Sequence, residues 1–306
     1  MMWRFAGKRP AVGGNAGKRM SVKFFYPPIM GLATCVSLFA CASADESGGS
    51  AKTEDRPAIK NSGWQPIFQS MAEDYRIAPA NEPDRQFKLQ LPPVFRWTQP
   101  VRGGDDGALF VWLDRGRLAA VGTILAWPQN DGLRVVQHEF HSFATTPITA
   151  IWRGRSVWSP TTGVARTPVP DAPEPAASGA QRLRQIKTIA GGFSGNSVDS
   201  EGGRWELRLL SNPLYRYVLE DHDAVLDGAL FSLTQGTDPE VLLVIEAARA
   251  GGGYEWQYCC GRFSDYRLTV RYREKEVWSV GPNGQATPEE PYTCHVAEIR
   301  PKPEAN

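Results

Sequence analysis

Part of this chain is written twice, and that repetition limits what it can fold into more than any other feature. Asp106-Gly-Ala-Leu-Phe110 recurs as Asp227-Gly-Ala-Leu-Phe231. At the same offset of 121, Val121 meets Leu242, Ile124 meets Ile245 and Ala126 meets Ala247. One residue is then lost and the offset becomes 120, so that Gln137 meets Gln257, Phe143 meets Phe263 and Arg153 meets Arg273. Upstream, Pro93-Val-Phe-Arg-Trp97 meets Pro213-Leu-Tyr-Arg-Tyr217. Further up, Phe68, Met71, Ala72 and Tyr75 fall on Ile186, Ile189, Ala190 and Phe193. An ordered series of matches over about 90 residues marks a duplicated unit.

The two copies carry the same local signals. Each opens with a helix. Ser178 and Gln181 have capping-box spacing ahead of Leu183, Ile186, Ile189 and Phe193, which recur at helical intervals, and Gly191-Gly192 follow as a stop. Pro66 sits where a first helical turn tolerates proline. Phe87–Leu91 and Trp205–Leu209 alternate apolar and polar like half-buried strands, and Val241–Ile245 is continuously apolar like a strand covered on both faces. Asp-Gly turns lead into strands at 108–113 and 229–234, followed by 134–143 and 254–263, then 148–153 and 268–273. The turns are too short for parallel crossovers. These signals predict an α+β fold with an internal duplication. Each copy is one helix followed by an antiparallel sheet of about five strands, in a pseudo-twofold arrangement. A single sheet shared by both copies is the alternative. The copies span 62–159 and 179–280, a Pro/Ala-rich linker covers 160–178, and the tail 281–306 has no counterpart in the first copy.

The first 44 residues read as an address. Six basic residues and no acidic one precede or flank the apolar run Ile29–Ala40, and Ala42-Ser43-Ala44 is an A-x-A cleavage pattern. This order predicts a signal peptide over 1–44 and an extracytoplasmic protein: periplasmic, surface-attached or secreted. Leu38-Phe39-Ala40-Cys41 also resembles a bacterial lipobox, which makes Cys41 a lipidation candidate and the chain a lipoprotein candidate. The polar, Gly/Ser-rich segment 45–61 reads as a flexible tether under either scheme, and Met20 is an alternative start. Beyond the leader, no apolar stretch is long enough for a membrane-spanning helix. The membrane is therefore expected as a partner only through that lipid.

Charge narrows the partners further. The whole chain has 34 basic and 33 acidic residues, and subtracting the six of the leader leaves 28 basic against 33 acidic. A mildly acidic mature domain argues against nucleic acid. Residues that both copies share are expected to serve the fold, so a single active site is sought among residues of one copy. Gln137-His-Glu-Phe-His141 faces Gln257-Tyr-Cys-Cys-Gly261 in the other copy. It is not an HExxH zinc motif, but on a strand Glu139 and His141 share a face while His138 points away. Glu139 and His141 are thus the candidates for acid–base or metal chemistry. Of the five cysteines, Cys259, Cys260 and Cys294 remain after processing. Cys294 is expected to pair with Cys259 or Cys260 and pin the tail onto the second sheet; a vicinal bond and three reduced thiols are the alternatives. Glu220-Asp-His-Asp223 lacks the spacing of a calcium loop, and no phosphate or dinucleotide motif occurs, so no metal or cofactor is expected. Nine tryptophans follow the leader and read first as core.

Asp106–Ile124 (DGALFVWLDRGRLAAVGTI), Gly236–Ala247 (GTDPEVLLVIEA) and Asn212–Tyr217 (NPLYRY) resemble exported proteins of planctomycete-type bacteria, a family with no assigned activity. That resemblance implies export and a globular fold and carries no functional residue. The reading favoured from the residues is a non-catalytic binding or interaction module of the cell envelope, with an envelope ligand or protein as partner. The alternative is a hydrolase or metal-dependent enzyme using Glu139 and His141 in a cleft between the copies.

Overall fold

A computed structural model describes residues 63–99, 105–129, 132–219, 224–284 and 286–304. All lie in the unit Pro57–Asn306. The expected signal peptide, its cleavage after Ala44, Cys41, the tether and the acidic Glu220–Asp223 cluster lie outside the described residues.

Helix α1 (Trp64–Glu73) is followed by eight strands: β1 (Tyr75–Pro79), β2 (Lys88–Leu89), β3 (Phe95–Gln99), β4 (Asp105–Asp114), β5 (Arg117–Pro128), β6 (Leu133–Ser142), β7 (Ile148–Trp152) and β8 (Arg155–Trp158). The linker contributes β9 (Thr167–Pro168). Helix α2 (Gly179–Ala190) is followed by β10 (Phe193–Val198), β11 (Arg204–Leu209), β12 (Tyr215–Val218), β13 (Val225–Gln235), β14 (Asp238–Ala250), β15 (Gly253–Arg262), β16 (Arg267–Tyr272) and β17 (Lys275–Val280). The tail forms β18 (Tyr292–Pro301).

This corrects the expected fold class. The described residues are 55% strand and 10% helix, in three sheets curled into a half-barrel, rather than α+β units of one helix and one sheet. One sheet is β1-β7-β8, a second runs β18-β6-β5-β4-β2 with β3 also on β4, and the third runs from β17 through β16, β10, β11, β13, β14 and β15 to β9 with β12 on β13. The physical reason is length. A helix of ten or twelve residues is about 15–18 Å long, whereas strands of ten to thirteen residues reach about 33–43 Å. Neither helix can cover such a sheet alone. The accumulated twist of long strands also curls it away from a flat helix-covered slab.

Three apolar clusters hold the layers. The first packs Trp64 and Phe68 of α1 and Ile77, Ile148 and Trp158 of the small sheet onto Phe110, Trp112 and Phe140 of the second sheet. The second packs Ile186 and Ile189 of α2 onto Phe231, Leu243 and Trp256. The third joins the free faces of the two large sheets, with Leu109, Val111 and Val121 against Leu230, Leu242 and Val244. The central strands β5 and β14 are therefore buried on both faces, which is why each reads as an apolar run.

Some of the sequence signals have a direct structural cause. Ser178 Oγ accepts from the Gln181 backbone N–H at 3.3 Å and donates to Gln181 Oε1 at 3.0 Å, closing the first turn of α2. The two Asp-Gly dipeptides are not the expected turns: Asp106-Gly107 lies inside β4 and Asp227-Gly228 inside β13, and their glycines leave room for a ring on the neighbouring strand. A Cβ on Gly107 would lie 2.2 Å from Trp97 Cε2, and one on Gly228 would lie 2.4 Å from Tyr217 Cε2. The tail departs from expectation: β18 pairs antiparallel along β6, with Tyr292 opposite His141 and Pro301 opposite Leu133, not along the second copy's sheet. Backbone pairing along a free strand edge places it there, with no covalent pin.

Candidate functional site

Glu139 and His141 lie on β6 with their side chains on the face that meets the other large sheet. The structure buries both and gives each its own partner. Tyr292 donates its hydroxyl to Glu139 Oε1 at 2.5 Å, and the His141 Nδ1 lies 2.8 Å from the Ser142 carbonyl. Burial, reinforced by Asp265 and Glu240 and opposed by the Tyr292 bond and Arg262, pushes the Glu139 carboxyl up to about 8. Burial pushes His141 down to about 4, against the Ser142 hydrogen bond. An uncharged acid and an uncharged imidazole suit a dry interface. Among the described residues no three His, Cys, Asp or Glu side chains come close enough to hold a metal ion.

Cys259, Cys260 and Cys294 are free thiols in this structure. Cys259 faces the joint between the large sheets, Cys260 faces the α2 side, and Cys294 packs against the same joint as Cys259. No disulfide joins Cys294 to Cys259 or Cys260 in this structure. Burial raises all three thiols, Cys259 to about 11, so they pack as small apolar groups.

The cleft between the halves is lined by other residues. It has a volume of 460 Å³ and is bordered by Arg117 at the start of β5, Thr145, the linker residues Gly163–Arg166, and Ala248 and Gln257 on β14 and β15. Its floor is an ion cluster. Arg117 Nε and Nη2 donate to the two oxygens of Glu246 at 2.8 and 2.7 Å. Arg166 Nε donates to Glu246 Oε2 at 3.0 Å, and Tyr217 donates its hydroxyl to Oε1 at 2.7 Å. Arg166 is further fixed by the carbonyls of Val164 and Phe143 at 2.8 and 2.7 Å. Burial disfavours the Glu246 anion, but the Arg117 and Arg166 charges and the Arg117 and Tyr217 hydrogen bonds overcome it and hold the carboxyl down to about 2. Two guanidiniums on one carboxylate leave a net positive charge. Arg117 is the more exposed of the two, at 17% of its side chain against 5% for Arg166, and its Nη1 takes no part in the Glu246 pair.

Sequence reasoning missed this cluster. Glu246 was readable as a single acid inside the apolar stretch Val241–Ala248, where an unpaired carboxylate would be costly. Its two charged partners, Arg117 and Arg166, come from the other copy and from the linker, which no local spacing connects. No family model, no curated protein and no solved structure matches this chain.

Proposed function

We propose that this protein is an exported component of the cell envelope and that its described domain is a non-catalytic binding module. The export reading rests on the basic, apolar, Ala-Ser-Ala order of the leader. One observation carries the binding reading: the inter-half cleft ends in a rigid ion cluster with a net positive charge and a partly exposed Arg117. A guanidinium held by a buried carboxylate is pre-set in position and recognises a carboxylate through paired N–H donors. Thr145 and Gln257 at the cleft wall add polar groups, and Ala165 and Ala248 keep the lining side chains small. The ligand class is a carboxylate-bearing envelope molecule. The alternative of a hydrolase or metal-dependent enzyme loses its motive, because Glu139 and His141 are buried, separately bonded and outside the cleft lining.

The test is capture of soluble envelope components by the immobilised full chain, with mass spectrometric identification of what is retained. A carboxylated ligand lost at least about tenfold in Arg117→Gln supports the reading. Retention that is equal in wild type and Arg117→Gln overturns it. N-terminal analysis of the exported protein checks the address: a start at Asp45 means simple secretion, lipid on Cys41 means anchoring, and an unprocessed cytoplasmic chain ends the export proposal.

A further inference from the structure

The two copies differ in charge where the helix meets the last hairpin. In the first copy Arg153, at the β7–β8 turn, lies over the Trp152 ring at 4.5 Å and donates to Asp74, the residue that ends α1, at 2.7 Å. In the second copy Arg273, at the β16–β17 turn, lies over the Tyr272 ring at 5.2 Å in the same way. There Gly192 stands at the position of Asp74, and Arg184 at that of Pro66. One negative charge is lost and one positive charge is gained. Arg184 makes no hydrogen bond or ion pair among the described residues. Arg273 meets Asp171 of the linker at 3.8 Å, but both side chains are mostly exposed, at 59% and 87%, so that pair holds weakly. Arg184 and Arg273 border one cavity of 210 Å³ between α2, the hairpin and the linker. On α2, Arg184 and Thr188 stand four residues apart, as do Gln185 and Ile189, so a single helix face lines it. Ile189 and Tyr272, both buried, give it an apolar floor. Gln185 fixes the linker wall: its Oε1 accepts from the Ala176 N–H at 2.9 Å and its Nε2 donates to the Glu174 carbonyl at 2.8 Å. The Lys187 and Ile189 carbonyls accept from the N–H groups of Gly191 and Gly192 at 3.0 Å each, which blunts the negative end of α2.

We propose that this cavity is a binding site for a small organic phosphate monoester. Two guanidiniums on separate elements match a dianion in charge and reach a tetrahedral oxyanion from two sides, each with paired N–H donors. A planar carboxylate offers only one such edge. Thr188, exposed beside Arg184, adds a hydroxyl donor. The apolar floor takes the organic part of the ester. The volume lies below the roughly 300–1,000 Å³ of ordinary ligand pockets, which restricts that part to a small group. Asp171 competes with the ligand for Arg273. Its backbone has φ 52°, in the left-handed region that Asp and Asn tolerate, so its charge can be removed without straining the linker. The first copy is not expected to share the site, because Asp74 already neutralises Arg153. The cleft at Arg117 is lined by different residues, so this site stands or falls independently of the carboxylate reading.

Isothermal titration calorimetry of the full chain with phenyl phosphate, inorganic phosphate and benzoate tests this at about pH 8, where the phosphate monoester carries two charges. Saturable binding of phenyl phosphate with a Kd below about 1 mM is expected. Inorganic phosphate lacks the ring and benzoate lacks the tetrahedral dianion, so each is expected to bind at least about tenfold more weakly. Arg184→Gln and Arg273→Gln are each expected to weaken phenyl phosphate binding at least about tenfold. Asp171→Asn frees Arg273 and is expected to tighten it at least about twofold. Arg153→Gln, at the matching turn of the first copy, is expected to leave it unchanged. Circular dichroism and thermal unfolding of each variant separate loss of the site from loss of fold. If Arg273→Gln disturbs its hairpin, Arg184→Gln carries the same test from the exposed helix face. No saturable binding, equal binding of benzoate or inorganic phosphate, or binding that survives both Arg184→Gln and Arg273→Gln overturns the proposal. So does binding that is lost in Arg117→Gln instead, which places the anion in the cleft.

Discussion

Strands β6 and β15 stand at matched places in the two copies, and they end up with different chemistry. β6 is covered along its length by β18, whereas β15 meets only Thr167 and Pro168 of β9, at Tyr258 and Gln257. At the position of His138 the second copy has Tyr258, at Tyr75 it has Phe193, and at Trp152 it has Tyr272. Those three pack as aromatics, with Phe193 5.2 Å from Tyr258 and 4.7 Å from Tyr272. At Glu139 the second copy has Cys259, an uncharged thiol. The difference shows what an added strand permits. β18 brings its own polar side chains, Tyr292 for one face of β6 and His295 for the other, so β6 can bury an acid and an imidazole. β15 has no such partner strand and holds groups that need little hydrogen bonding.

The strongest way to break the comparison is to remove β18. Deleting Tyr292–Asn306 is expected to cost more than about 5 kcal/mol or to abolish cooperative unfolding, because a full ladder is lost and Glu139 is left without Tyr292. Replacing Thr167-Pro168 by Gly-Ser is expected to cost about 1 kcal/mol. Urea denaturation followed by circular dichroism measures both, and equal losses would show that β18 is not special.

Next comes the acid of the cleft. Glu246→Ala leaves Arg166 and Arg117 without their counter-charge and is expected to cost about 3–5 kcal/mol. The folded Glu246 carboxyl is held near 2, below the unfolded value of about 4.3. Its contribution is therefore present above about pH 4 and lost as pH falls towards 2. A pH series of denaturation midpoints should show that loss in wild type and not in Glu246→Ala.

What the two copies share should respond alike. Gly107→Ala drives a methyl into Trp97 and Gly228→Ala into Tyr217, and each is expected to cost about 1–3 kcal/mol. A loss in only one of them would separate the copies at this point, and thermal melts of both variants decide it.

The smallest effect is expected from Glu139→Gln at acid pH, where it changes stability by less than about 1 kcal/mol. Above that the variants diverge. Unfolded Glu139 ionises near 4.3 and the folded group near 8, so between these values the unfolded chain binds fewer protons and wild-type stability falls as pH rises. Glu139→Gln should flatten that slope between about pH 4 and 8, and parallel curves would place the titration on another group.

Much of the local structure was legible. The alternation at Arg204–Leu209, the apolar run at Val241–Ile245 and the Ser178 cap state their conformation through side-chain spacing within a few residues. The site was less legible. The strand periodicity put His138 and His141 on opposite faces of β6, but it could not say what each face would meet. Glu139 and His141 looked exposed to a cleft and lie in a dry sheet–sheet joint. Arg117, Arg166 and Glu246 gave no pattern, being separated by 49 and 80 residues along the chain.

The sequence by itself determined the Ser178 cap, the apolar run of the central strand Val241–Ile245 and which residues of each strand share a face, because these depend on backbone preference and on the two-residue period. Only the tertiary structure decided that the helices are too short to cover the strands, that the tail completes the first copy's sheet, and that His138 meets His295. Those outcomes depend on which long strands find an open edge and on how far they twist. Such pairings join residues more than a hundred positions apart and leave no local trace.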